Sequence, residues 1–257
     1  MNTRQQLTAI EKVLRGDSQG VVICADSARL LPKIESRSFD FVFTDPSYGH
    51  SNNNSDLISR REAALGRGRA GPPRPIVNDG YEANLFVRFA LHEFRRLLKG
   101  GCCCCCCCGG GGPDPQFARW SLWMEEAIGF KQMVIWDKGG LGMGWHYRRN
   151  YETVLVGQVP GGKGRWYGGH KQANVVRIPK IIPTAADHPT PKPVELVELF
   201  LRCHTQPGDL VLDPFAGGGT TGVACKRMGR RYILIEIDPH WARRSRARIE
   251  QADSNGN

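Results

Sequence analysis

Seven consecutive cysteines, Cys102 to Cys108, stand between glycines in the stretch GGCCCCCCCGGGG, and no other feature of the chain constrains its fold so tightly. Free cysteine packs as a small hydrophobe. A continuous apolar run bounded by glycines is the pattern of a strand covered on both faces of a parallel sheet. The competing reading is a metal site, and strand geometry opposes it. Alternate side chains share a face about 6.6–6.8 Å apart, whereas sulfurs on one tetrahedral zinc lie within about 4 Å of each other. Neighbouring thiols point to opposite faces, and no Cys-x-x-Cys or His-x-x-x-His pair occurs elsewhere to complete a ligand set. No metal is expected. Cys24, Cys203 and Cys225 sit singly in apolar segments, which suits a reduced compartment better than a disulfide scaffold.

The flanking segments agree with a buried strand. EANLFVRFALHEFRRLLKGG places Leu85, Phe86, Phe89, Ala90, Phe94, Leu97 and Leu98 at helical spacing before a glycine stop. GVVICADS and FDFVFTDPSYG predict two short buried strands, with a brief helix or turn over ARLLPKIESRS. PQFARWSLWMEEAIGF predicts a helix; KQMVIWDK and NYETVLVGQ predict strands; KPVELVELFLRCH predicts an amphipathic helix. GDLVLDPFAGGG reads as a strand running into a glycine turn, followed by a helix over TTGVACKRMG, a strand over RRYILIEIDP and a basic C-terminal helix. Strands alternating with helices imply an α/β fold, a doubly wound and mostly parallel sheet. At 257 residues the chain suits a single domain over 1–257. Residues 51–80, rich in Asn, Gly, Pro and Arg, read as a loop.

No stretch approaches the roughly 18 apolar residues of a membrane span, and MNTRQQLTAIEKVLRGD lacks the apolar core of a signal peptide, so a cytoplasmic protein is expected. The formal charge of +10 favours a polyanionic partner such as nucleic acid.

In doubly wound sheets, ligands bind beyond the carboxyl ends of the strands. Two turns there carry chemistry. In LVLDPFAGGGTTGVA, glycines 217, 218 and 219 let the backbone approach a ligand, and the helix opening at Thr220 aims amide donors at an anion. The glycines lack dinucleotide spacing, and Glu236 ends the next strand, where a carboxylate suits the ribose hydroxyls of a nucleoside cofactor. In FDFVFTDPSYGH, an Asp-Pro turn followed by Tyr gathers a carboxylate, a carbonyl and an aromatic face at the sheet edge.

Together, DPSY, DPFAGGGTT and HPTPKP resemble the motifs of the S-adenosylmethionine-dependent DNA amino-methyltransferases, in the permuted (β-class) order that puts the catalytic motif first. The likeness runs from about Val21 to Ile249 and implies a Rossmann-like methyltransferase fold. Ser47 departs from it, standing where that family has a second proline; the turn regains a free φ and an amide donor. An exocyclic base amine is a poor nucleophile because its lone pair is delocalised into the ring. The resemblance makes Asp45 and the Pro46 carbonyl the acceptors of its hydrogens, with Tyr48 stacking on a base extruded from the duplex. No Pro-Cys dipeptide exists to supply the nucleophile that carbon methylation needs.

The same resemblance implies that Asp213, Phe215, Gly217 and Gly219 line the cofactor, that Glu236 takes its ribose, and that Thr190 and Lys192 approach its carboxylate. Asp26 would accept from the adenine amino group, although an Asp after a strand is also a common helix cap. The initial Asp of DPSY favours adenine N6 over cytosine N4 as the target. An RNA or protein amide methyltransferase, or a silent DNA-binding relative, are the alternatives. Double-stranded DNA is the expected partner, with a homodimer and a cognate restriction nuclease as further possibilities. For DNA contact, residues 137–180 hold eight Lys and Arg against two acids, interleaved with Trp145, Tyr147, Trp166 and Tyr167, and form the candidate target-recognition segment. The Arg-rich stretch 60–74 and Arg243, Arg244, Arg246 and Arg248 fit phosphate contacts or solvated surface equally.

Overall fold

The computed structural model describes residues 1–48, 82–108, 116–141, 146, 148–181 and 191–254. The loop 51–80, Trp145, Tyr147 and Thr190 therefore lie outside the described residues. Eight strands form one sheet: β1 Gly20–Cys24, β2 Phe39–Thr44, β3 Leu98–Cys108, β4 Phe130–Asp137, β5 Tyr151–Gln158, β6 Val175–Arg177, β7 Leu210–Asp213 and β8 Arg231–Glu236. Their order is β1-β8-β7-β2-β3-β5-β4-β6. Only β5 runs against its neighbours β3 and β4, so the sheet is mostly parallel as expected.

The cysteine run is the inner part of β3, which pairs in parallel with β2 through Val42↔Cys104 and antiparallel with β5 through Cys105↔Val156. All seven cysteines are buried. Cys102, Cys104, Cys106 and Cys108 join one core, and Cys103, Cys105 and Cys107 the other, so the side-chain period of two distributes the thiols over both layers. The first core is closed by helices α1 (Thr3–Arg15), α3 (Glu82–Leu97) and α4 (Gln116–Ala127), through residues such as Val13, Phe94 and Trp120. The second is closed by α5 (Val194–His204), α6 (Thr220–Arg227) and α7 (Pro239–Ser254), through Phe200, Val223 and Ile249.

A short helix, α2 (Ser27–Leu30), follows β1 and runs into a 3₁₀ turn over Leu31–Lys33. Helix α1 was not among the sequence expectations. It has its own start signal, a capping box in which Asn2 accepts from the Gln5 amide and Gln5 returns the bond, and it stops at Gly16 with φ 89°.

Strand order reverses between β7 and β2. The carboxyl ends of these two adjacent strands carry the DPFAGGG and DPSY turns, at the position where doubly wound sheets open a crevice. No helix among the described residues is long and apolar enough to cross a membrane.

Candidate active site

The two turns are coupled by side chains as well as by strand pairing. β2 pairs with β7 through Val42↔Leu212, which brings Thr44 beside Asp213. The Thr44 hydroxyl donates to Asp213 Oδ1 at 3.0 Å, Thr221 donates to Oδ2 at 2.6 Å, and the Phe215 amide closes the turn on Oδ1 at 3.0 Å. Burial pushes the Asp213 carboxyl up to about 7, against the pull of these three donors. Asp213 thus fixes the shape of the glycine turn, and its oxygens are spent on the protein itself. Gly217 and Gly219 both have positive φ, 47° and 77°. A Cβ on Gly219 would lie 2.3 Å from the Ser245 hydroxyl of α7, so only glycine lets the turn pass that helix.

Glu236 ends β8 beside Cys24 of β1 and is buried. One oxygen accepts the Gly217 amide and the other the Asp238 amide, each at 2.8 Å. Burial raises its pKa against those amide bonds. A carboxylate has about four acceptor positions, so capacity for a diol remains. Asp26 follows β1 on the adjacent strand and caps α2, accepting from the Ala28 amide at 2.9 Å. Both readings of Asp26 therefore place it at this edge. Phe215 packs edge-on to Phe86, with centroids 5.2 Å apart, at the margin of the first core.

On the other side of the crevice the Asp45 side chain is about one-fifth exposed and makes two strong contacts. Lys192 Nζ lies 2.7 Å from Oδ2, and the Tyr48 hydroxyl donates to Oδ1 at 2.6 Å. Lys192 also donates to the Tyr48 oxygen at 3.1 Å and pairs with Glu152 at 3.3 Å, while its ammonium lies 5.4 Å from the Tyr48 ring centroid and 6.0 Å from that of Trp136. The Lys192 carbonyl accepts from Thr220 at 3.3 Å, so this residue joins the Asp45 turn to the start of α6. Burial alone would lower the Lys192 pKa, but Asp45 and Glu152 outweigh it and hold the ammonium protonated. Burial lifts the Asp45 carboxyl against the pull of Lys192 and Tyr48. Glu152 is buried too, yet Lys192 and Lys138 together bring its pKa below the ordinary value. Pro46 is buried beneath the turn, and the Tyr48 carbonyl accepts from Gln116 at 2.8 Å.

Lys192 thus lies on the Asp45 carboxylate, whereas the motif resemblance directed it to the cofactor. Tyr48 bonds Asp45 through its hydroxyl while its ring leans on Trp120, centroids 6.1 Å apart. Sequence reasoning missed Thr44, Glu152, Trp136 and Thr221. Glu152 had one usable signal, a carboxylate opening an otherwise apolar strand.

The structure divides the candidate recognition segment 137–180. Lys138 pairs with Glu152 at 3.2 Å and belongs to the crevice. Residues 159–167 run instead to the amino ends of β2, β3 and β7, where Arg165 holds Asp40 and Asp209 at 2.8 and 2.6 Å. In α7, Arg246 donates to the Val22 carbonyl and Arg248 to Gly218 and Thr220, which leaves Arg243 and Arg244 as the exposed pair.

A glycine turn on one side of the switch point and an Asp-Pro-x-Tyr turn on the other fit the doubly wound α/β class of methyltransferases. Residues 162–246 match the family model of the N6/N4 DNA methylases. The chain is 26% identical to the type II methyltransferase M2.DpnII of Streptococcus pneumoniae, over 90% of this chain and 89% of that protein. It is 24% identical to the DNA adenine methyltransferase YhdJ of Escherichia coli strain K12, over 95% and 87% of the two. Among solved structures, TTHA0409 of Thermus thermophilus in complex with S-adenosyl-L-methionine superposes with a TM-score of 0.68 at 21% identity, covering 92% of this chain and 95% of that one. The chain is thus similar to the N6/N4 DNA methylases over residues 162–246, and to type II DNA methyltransferases over about nine-tenths of its length.

Proposed function

We propose that the protein transfers a methyl group from S-adenosylmethionine to the N6 amine of an adenine turned out of duplex DNA. One observation carries this reading: Lys192 and Thr44 bind the Asp45 turn and the Asp213 turn into a single crevice, so the group that grips the amine and the loop that holds the cofactor face the same space. The donor set suits a nucleoside. Glu236 and Asp26, on adjacent strand ends, offer acceptors to a ribose diol and an adenine amine, and Gly217 and Gly219 keep side chains out of the turn between them. When bound, S-adenosylmethionine supplies a methyl carbon activated by the sulfonium.

The chain's own residues do the rest. Asp45 and the Pro46 carbonyl accept the two amine hydrogens and push electron density toward nitrogen. Lys192 keeps Asp45 ionised until the base arrives, then yields the oxygen it holds. Glu152 retains the ammonium meanwhile, so no buried charge is left unpaired. Tyr48 swings its hydroxyl off Asp45 and offers its ring face to the base. Orientation of the two reactants accounts for much of the acceleration. Adenine is favoured by the Asp that opens DPSY and by the end-to-end likeness to an enzyme named for adenine. Phosphate contacts fall to the part of the segment beside the crevice, near Lys138.

The test is tritiated methyl transfer to duplex DNA followed by nucleoside analysis. Label in N6-methyladenine is expected; label in N4-methylcytosine would move the target to cytosine, and no label in either would remove the reading.

A further inference from the structure

One stretch of the basic aromatic segment takes no part in the crevice. Arg165 and its neighbours lie at the amino ends of the strands, where β2 separates Asp40 from Asp45 of the crevice by about 17 Å at 3.3 Å per residue. Trp166 and Tyr167 are 49% and 44% exposed, yet both are fixed in place. The Trp166 indole donates to the Gly169 carbonyl at 2.7 Å, meets the His204 ring edge-on at 5.3 Å, and covers Gly168, where a Cβ would lie 2.6 Å from it. Arg165 Nε donates to the Tyr167 hydroxyl at 3.3 Å, with the guanidinium 6.0 Å from the ring centroid, and the Tyr167 amide donates to the Cys203 carbonyl at 2.8 Å. A ligand stacking on these rings has little side-chain freedom left to remove.

Cations surround the rings. Lys131, Gly164, Gln172 and Cys203 border one hollow beside Trp166, so the exposed side chains of Lys131, Lys163, Lys171 and Arg202 are carried around it. None of the four forms an ion pair among the described residues, whereas Asp40 and Asp209, which reach this end, are taken up by Arg165 and Lys99. Like charges left unpaired side by side favour an anionic polymer. A chain that alternates phosphates with flat, unpaired bases uses both the cations and the rings; a duplex keeps its base faces stacked, and carboxylates alone leave the rings unused.

We propose that this surface binds single-stranded DNA, with bases stacked on Trp166 and Tyr167 and phosphates on Lys131, Lys163, Lys171 and Arg202. It is a second contact, on the edge of the sheet opposite the crevice, and it rests on the proposed methyl transfer only for the choice of DNA over RNA.

The test measures fluorescence anisotropy of a labelled short oligothymidine, whose bases carry no exocyclic amine, so that binding does not depend on methyl transfer. The full chain should bind it about tenfold more tightly than an abasic oligomer of the same length and charge. Trp166→Ala should erase that preference, and Trp166→Phe, which keeps a ring, should restore most of it. Combining Lys163→Gln, Lys171→Gln and Arg202→Gln alters only exposed side chains and should leave the fold intact. It should reduce the slope of log affinity against log salt by about 2, at about 0.7 per phosphate contact on a single strand. Equal affinity of the parent for the two oligomers, a preference that survives Trp166→Ala, an unchanged salt slope in the triple variant, or tighter binding of oligouridine would each overturn the assignment. Such a failure leaves the methyl-transfer reading standing, because that reading is scored by label in duplex DNA.

Discussion

Each end of β2 carries an aspartate held by a cation that spans two carboxylates, and the two arrangements behave oppositely. At the amino end, Arg165 forks between Asp40 and Asp209, and both acids are further fixed by backbone amides, Leu210 on Asp40 at 3.0 Å and Gln206 on Asp209 at 2.7 Å. Lys99 adds a second cation on Asp40 at 2.8 Å. Guanidinium is planar and permanently charged, so this is a lock. At the carboxyl end, Lys192 spans Asp45 and Glu152, and the second support of Asp45 is the rotatable hydroxyl of Tyr48. Lysine is a point charge on a flexible stem and can leave one acid for the other. The difference separates an edge fixed by a rigid fork from an edge whose contacts can be exchanged, as the proposed methyl transfer requires.

Removing the acids or cations breaks the comparison in distinct ways. Asp45→Ala has the largest expected effect, a loss of methyl transfer on the order of 10³-fold in single-turnover assays, with cofactor binding retained by equilibrium dialysis. Normal turnover would take Asp45 out of the chemistry. Arg165→Leu should do the reverse. It leaves two largely buried carboxylates short of a partner and should cost about 3 kcal/mol in urea unfolding, with kcat on DNA unchanged in the folded protein. Equal stability of that variant would reduce the lock to a surface pair.

His204, beside Arg165, gives the amino edge its own pH signature. Its pKa in the folded chain is near 4 against an ordinary 6.5, so between those values the unfolded chain binds the extra proton. Stability is therefore full above pH 6.5 and falls as pH drops toward 4, by at most about 3 kcal/mol. His204→Phe should flatten that part of the stability profile. At the other edge Lys192→Met removes the charge that opposes burial at Asp45 and Glu152. Both acids should then take up protons more readily, and the acid limb of the kcat/KM profile should move upward by about one pH unit. A lowered affinity for the cofactor with an unmoved limb would instead return Lys192 to the cofactor's carboxylate.

The architecture was legible because both sheet faces are covered. GVVIC is apolar on both faces, and FDFVFT breaks its apolar run only at Asp40 and Thr44, so neither is confused with a loop. The two turns were legible because their chemistry is local, each within about ten residues. The links between them were not. Lys192 reaches Asp45 across 147 positions of chain, Thr44 looks like an ordinary strand residue, and nothing near Arg165 announces Asp40, 125 positions away. A basic stretch with aromatic neighbours is equally suited to phosphate and to buried carboxylates, and for residues 159–167 the structure shows the carboxylates. Helix α1 escaped notice because only Ile10 and Val13 are fully buried, which is a thin apolar stripe.

The smallest effects are expected in the feature that constrained the fold most. Cys102 to Cys108 lie on alternate faces of β3, and burial pushes their thiols up, Cys103 to about 12, so none is a thiolate at neutral pH. A strand whose residues act only as small apolar volume should accept other small apolar residues. Cys105→Ala, at the centre of the second core, should cost about 1 kcal/mol for the lost sulfur and leave kcat unchanged. Thiol titration of the native protein should find Cys24 reacting quickly and the run reacting only as the chain unfolds, since Cys24 alone of the ten is not fully buried. Rapid labelling of the run, or release of a stoichiometric metal on labelling, would give the cysteines a chemistry that their placement in two separate layers denies them.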